Sequence, residues 1–165
     1  MGGTDAHGTG EWVLLSYRMP REPSSPRIAL WRKLKRLGVA QLSDGLVALP
    51  ADARTREHLE WLADEALEAG GTAAIWIARP AALAQERELA ALMAEARAVE
   101  YRGVLDAAAA AAELPEVERA AAVRRLRAEL HRIDRRDYFP PPERDRARRA
   151  VADLQGQSAS EAVGS

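Results

Sequence analysis

The sequence contains no cysteine and only three histidines. Without cysteine, the 165 residues can form neither disulfides nor thiolate metal sites. The histidines, His7, His58 and His131, lie far apart and lack the i, i+4 spacing of a metal-binding helix, so we predict no metal site. The chain also lacks a glycine-rich phosphate loop and a G-x-S-x-G elbow. We therefore predict a protein that is not an enzyme, has no catalytic residues and needs no cofactor.

Long apolar runs are also missing. The longest stretch without a charged residue, Ala69 to Ala78, is too short to cross a bilayer, and the first residues have no apolar signal core. We expect a cytoplasmic protein with no membrane partner. Charged residues make up 30% of the chain and apolar residues 47%, with a net charge of -1. This composition is sufficient for a hydrophobic core in one domain with an appendage.

Up to about residue 80, short apolar strands alternate with amphipathic helices. The strands are predicted at Trp12–Met19, Val39–Ser43, Leu46–Pro50 and Thr72–Ala78, with Asp44-Gly45 as a hairpin turn between the second and third. One helix begins at the cap pair Ser25-Pro26 and ends at Gly38, and another runs from Ala53 to Ala69 before Gly70-Gly71. The order β-α-β-β-α-β predicts an α+β, ferredoxin-like domain with an antiparallel sheet over residues 11–80.

The second half is rich in alanine, arginine and glutamate at helical spacing. We predict three helices there, at about Pro80–Ala112, Pro115–Arg136 and Glu143–Leu154. Together they form a helical extension over residues 81–155. Polar segments at both ends are predicted to be disordered, a leader over residues 1–10 and a tail over residues 156–165.

Basic residues are concentrated at the first helix. Between Arg18 and Arg36 there are seven bases and one acid. The helical wheel places Leu30, Trp31, Leu34 and Leu37 on a core face and Arg32, Lys33 and Arg36 on the opposite, exposed face. Guanidinium groups near a helix N-terminus suit a DNA phosphate or a small tetrahedral oxyanion, and the alternative is a solvated loop paired with nearby acids. The candidate binding residues are Arg18, Arg21, Arg27, Arg32, Lys33, Lys35 and Arg36.

Charge also changes sign within the second half. Residues 86–118 carry a net charge of -5, whereas residues 119–149 carry +6. We interpret these segments as solvated helix faces able to pair with each other, with nucleic-acid contact as the alternative. Asp134 and Asp137 lie beside Arg135 and Arg136, as helix-surface ion pairs do.

Two apolar surfaces need a cover. Trp61 falls among acidic residues on its helix, so we predict that the C-terminal helices cover it, or that it binds another protein. The first and last strands are apolar on both alternations, so neither face of the sheet can be left to water. The cover is either the sheet of a partner in a homodimer or the helices that follow Pro80.

A set of short segments carries a family resemblance. They are Trp12-Val13-Leu14-Leu15, Pro20-Arg21-Glu22-Pro23, Trp31 to Gly38, Asp44-Gly45, Leu49-Pro50, Thr55-Arg56-Glu57, Trp61-Leu62, Gly70-Gly71, Glu100-Tyr101 and Asp137-Tyr138-Phe139. In this order they resemble the N-terminal domain of the chromate-resistance regulator family, ChrB. That domain is commonly followed by a second domain, and we interpret this chain as a stand-alone relative.

The resemblance implies a bacterial, DNA-binding repressor of an efflux operon in the chromate response, and chromate as the small oxyanion. We therefore expect a non-enzymatic transcriptional regulator that binds DNA electrostatically as a homodimer. The alternative is a stand-alone, dimeric protein-interaction module of the same fold that does not bind DNA.

Overall fold

The computed structural model describes residues 10–164, which contain four strands and five helices. These are β1 (Trp12–Arg18), α1 (Ser25–Leu37), β2 (Ala40–Ser43), β3 (Leu46–Pro50), α2 (Ala53–Glu68), β4 (Thr72–Ala78), α3 (Leu83–Ala111), α4 (Glu116–Arg135) and α5 (Glu143–Val163). The chain divides between Met93 and Ala94 into two compact units, called unit 1 and unit 2. Within the described range, no helix combines the length and the apolar character needed to span a membrane.

Unit 1 contains a four-stranded sheet in which all neighbouring strands are antiparallel. The strand order is β2-β3-β1-β4, so β1 is central and β2 and β4 are the edges. Leu15 of β1, for example, lies opposite Val47 of β3 and Ile75 of β4. The predicted α+β class and the predicted order of elements are confirmed.

Glycines follow α1 and α2 and lie in the β2–β3 turn, at the positions predicted from the sequence. Gly38 ends α1 with a φ of 76°, a left-handed conformation that glycine adopts without strain. After α2, the Gly71 amide donates to Ala66 and the Gly70 amide to Leu67, which satisfies two otherwise free carbonyl groups. The predicted cap of α1 was wrong: the N-cap is Ser24, and no side chain bonds the helix end.

The core of unit 1 lies between one face of the sheet and the two helices α1 and α2. Val13 and Leu15 alternate on β1 and are completely buried, as are Leu30 and Leu34 of α1. Leu59 of α2 completes the contact. The residues that alternate with Val13 and Leu15 along β1 point to the opposite face of the sheet.

That opposite face is covered in part by the start of α3. The Trp12 indole is buried and donates to Glu86 at 3.1 Å. A groove of 310 Å³ remains between this helix and the strands, lined by Leu14, Leu42 and Leu89 among others. Cover by helices after Pro80 is thus confirmed over β1, whereas Trp76 on β4 stays 56% exposed. Because these turns of α3 belong to unit 1, the division falls later than the predicted boundary at residue 80.

Unit 2 is helical, built from the later part of α3 with α4 and α5. Its core contains Tyr101, Val104, Leu126, Leu130, Ile133, Val151 and Leu154. Residues 156–163 are helical, contrary to the predicted tail, because α5 continues to Val163. Part of the reason is the buried Arg119, whose guanidinium bonds Ser158 at 3.2 Å and also pairs with Glu161. Residues 1–9 of the predicted leader, and Ser165, lie outside the described residues.

Candidate functional site

A cleft of 540 Å³ opens beside α1, where β1 ends and the β2–β3 turn begins. Arg18 and Arg27 line it together with Tyr17 and Trp31, and Asp44 contributes one acid. Burial raises the pKa of the Tyr17 phenol, and the negative charge of Asp44 raises it further. Tyr17 therefore keeps its proton. The cleft offers two guanidinium groups and a hydroxyl donor to an anion.

The seven predicted binding residues do not converge on one point. All four of Arg18, Arg21, Arg27 and Arg32 are exposed, but of the seven only Arg18 and Arg27 line the cleft. The Lys35 ammonium lies over the Trp31 ring, 5.4 Å from its centroid. Lys33 and Arg36 line a groove beside α2, and Lys33 pairs there with Glu65 at 2.9 Å. Within residues 10–164, Lys33 is the only one of the seven that forms an ion pair.

Trp31 and Trp61 depart from their predicted places. Trp31 is half-buried, because α1 buries Leu30 and Leu34 and leaves the indole at the cleft. Trp61 is 63% exposed among the described residues, and it stacks on His58 with the ring centroids 6.1 Å apart. Exposed acids flank it along α2, at Glu57, Asp64 and Glu68. Since α2 packs beside α1, these acids weaken the attraction of the α1 surface for phosphate.

From Arg124 to the end of α4, no acidic residue is exposed and the exposed surface is rich in arginine. Between Arg124 and Arg135 its exposed residues are Arg124, Arg125, Arg127, Ala128, His131, Arg132 and Arg135. The two acids in this stretch are half-buried and paired, Glu129 with Arg132 at 2.5 Å and Asp134 with Arg148 at 2.7 Å. The charge count over residues 119–149 pointed to this region. Counted from Arg124, arginine or alanine recurs at positions i, i+4, i+8 and i+11. This helical spacing in the sequence would have identified the exposed face of α4.

A buried tyrosine ties α4 to α3 within unit 2. The Tyr101 hydroxyl lies 2.8 Å from Asp134 and 2.7 Å from Asp137, and its ring is fully inaccessible. Burial raises the pKa of Tyr101, and the two carboxylates raise it further, so the phenol stays protonated. Asp134 and Asp137 were predicted to form helix-surface ion pairs; Asp134 does pair with Arg148, and both carboxylates also lie against the Tyr101 hydroxyl at the end of α4. No three carboxylate or imidazole groups in the described part of unit 2 are arranged for a metal.

Comparison with known proteins bears on the family of this chain. The family described as "Protein ChrB, N-terminal" matches residues 27–162, a range that includes most of α1 and all of α4. Protein ChrB of Cupriavidus metallidurans is 31% identical over 133 residues, which cover 78% of this chain and 40% of that protein. The chain thus spans about two fifths of the relative's length, and no solved structure matches it significantly. The resemblance found in the sequence is confirmed, and the chain belongs to the ChrB N-terminal family.

Proposed function

We propose that this chain is a non-enzymatic, DNA-binding transcriptional regulator of the chromate response, and that α4 contacts the DNA backbone. One observation carries the proposal: every exposed residue between Arg124 and Arg135 is arginine, histidine or alanine. Such a surface attracts phosphate along its whole length, since no exposed acid interrupts it. The family relationship supports the link to the chromate response.

The shape of α4 also suits DNA. A single helix fits the major groove, and arginine forms bidentate contacts with phosphates and with guanine. Arg124, Arg125 and Arg135 form no ion pair with any described residue, so binding would break no internal contact of theirs. Ala121 and Ala128 are small, and they let the helix approach the groove closely.

The cleft beside α1 favours a second ligand, a tetrahedral oxyanion such as chromate. Arg18, Arg27 and the protonated Tyr17 hydroxyl supply donors around 540 Å³ of open volume. Asp44 on the wall opposes an anion, so weak binding is expected. Arg27→Gln should lower the affinity for chromate measured by calorimetry, and equal affinity in the variant would refute this role.

The architecture fits such a role. We assign unit 1 to the ferredoxin-like class, because two helices pack on one face of a sheet with the order β2-β3-β1-β4. Regulators of an efflux operon act in the cytoplasm, and we propose that location for this chain.

Binding to a random-sequence duplex, followed by fluorescence anisotropy at several salt concentrations, tests the α4 assignment. The electrostatic part of DNA binding does not depend on sequence, so no operator is needed. The logarithm of the association constant K falls with the logarithm of the salt concentration, and each lost phosphate contact makes this slope less steep by about 0.9. The triple variant Arg124→Gln, Arg125→Gln, Arg135→Gln should therefore reduce the slope by about 3.

A second triple variant is the matched control. Arg32→Gln, Lys33→Gln, Arg36→Gln removes the same charge from α1, the helix that the sequence predicted to bind DNA, and it should keep most of the slope. A greater loss in the α1 variant would move the interface to that predicted surface. Absence of binding by the unmodified protein at low salt would refute DNA binding altogether and favour the protein-interaction module.

A further inference from the structure

The two edges of the sheet in unit 1 are built differently. The β2 edge is four residues long, its register is irregular between Gln41 and Ser43, and its last three residues are exposed, two of them polar. Shortness, irregularity and polarity are the usual protections of an edge strand against pairing with another chain. β4 has none of them: it is seven residues long and contains neither a charge nor a proline. It also keeps regular register with β1 from Thr72 to Ala78.

Large apolar side chains lie exposed along the β4 edge. Trp76 is 56% and Ile77 48% exposed, and they point to opposite faces of the sheet. Leu67 of α2, the helix that packs over β1 and β4, is 53% exposed. The Trp76 indole donates to Ser16 at 3.0 Å, which orients the exposed ring. Both faces at this edge therefore present apolar surface to solvent.

The sequence of β4 is complementary to itself when reversed. An antiparallel pair centred on Ile75 would place Trp76 of one copy opposite Ala74 of the other, and Ile77 opposite Ala73. Trp76 and Ile77 thus each meet a small side chain, Ile75 lies opposite its own copy on the axis, and the end residues Thr72 and Ala78 face each other. β4 itself brings no charged side chain into the contact.

We propose that β4 pairs with β4 of a second copy about a twofold axis at Ile75, which joins the two sheets into one of eight strands. The exposed parts of Leu67, Trp76 and Ile77 with the strand edge amount to roughly 500 Å² per copy, so complete burial of this surface would bring the dimer to the roughly 1,000 Å² that a specific interface needs. The inference is independent of DNA binding, because it involves no residue of α4.

The absence of cysteine makes a direct test of the axis possible. Across an antiparallel pair, opposite Cα atoms lie about 4.5 to 5.5 Å apart, within the range that a disulfide spans. Under mild oxidation, Ile75→Cys should give a dimer on a non-reducing gel that reductant converts to monomer. Gln41→Cys, on the other edge, is the matched control and should stay monomeric. Equal cross-linking of the two variants would overturn the proposed axis.

Light scattering tests the interface without a cross-link. The unmodified protein should have twice the 18.0 kDa mass of one chain. Ala74→Glu, at an exposed position, brings an unpaired carboxylate opposite Trp76 of the other copy and should halve the mass, with an unchanged circular dichroism spectrum. Gln41→Glu adds the same charge at the β2 edge and should remain dimeric. A monomeric unmodified protein, or a dimeric Ala74→Glu variant, would overturn the proposal.

Discussion

Tyr101→Phe removes a single oxygen from the core of unit 2 and keeps the ring. The hydroxyl lies within 2.8 Å of both Asp134 and Asp137, but it has one hydrogen and donates to one carboxylate at a time. A hydrogen bond to a charged group contributes about 1.5 to 3 kcal/mol, and a buried acceptor left without its partner adds to the loss. We expect the free energy of unfolding to fall by about 2 to 3 kcal/mol, which lowers the melting temperature by roughly 10 to 20 °C in a unit of this size.

Two optical signals separate the units in this experiment. All four tryptophans belong to unit 1, so their fluorescence follows that unit, whereas ellipticity at 222 nm includes the helices of unit 2. The loss of stability should therefore appear in the unfolding transition followed by ellipticity. A double-mutant cycle with Asp137→Asn isolates the contact and should give a coupling of about 1 kcal/mol or more. A loss below about 0.5 kcal/mol, or no coupling, would refute the hydrogen bond as the source of stability.

Two further predictions concern pH and backbone conformation. Burial is the main cause that raises the pKa of Asp137 in the folded state. Protonation of Asp137 therefore favours the folded state, and this contribution to stability is complete below the ordinary pKa of about 3.9. It is lost as the pH rises through the higher pKa of the folded state. In urea titrations above about pH 4, unmodified protein should lose stability relative to Asp137→Asn, and a constant difference would contradict this. Gly45→Ala should cost about 2 kcal/mol or more in tryptophan-detected unfolding, because φ is 73° and the new Cβ would lie 2.4 Å from the Tyr17 carbonyl oxygen. Gly103→Ala, with open space at an exposed helical position of unit 2, is the control and should stabilise that unit by about 0.5 to 1 kcal/mol in unfolding followed by ellipticity.

Local signals explain why the secondary structure could be predicted. The Asp44-Gly45 turn, the Gly70-Gly71 helix end and the short apolar run of β4 each depend on a few neighbouring residues. Where an element depended on a distant partner, the prediction failed. The end of α5 was taken for a disordered tail because its contact with Arg119 joins residues about forty positions apart.

The order of elements, the α+β class and the family could all be predicted from the sequence, because they depend on short-range patterns and collinear motifs. The grouping of the cations depends instead on how the elements pack in the folded protein. Packing places Arg18 and Arg27 at a cleft, pairs Lys33 with Glu65, and leaves the α4 arginines together on an exposed face. A helical wheel gives only the angle of each side chain about the axis of its own helix. Which of those angles meet a strand, an acid or water depends on the elements packed alongside.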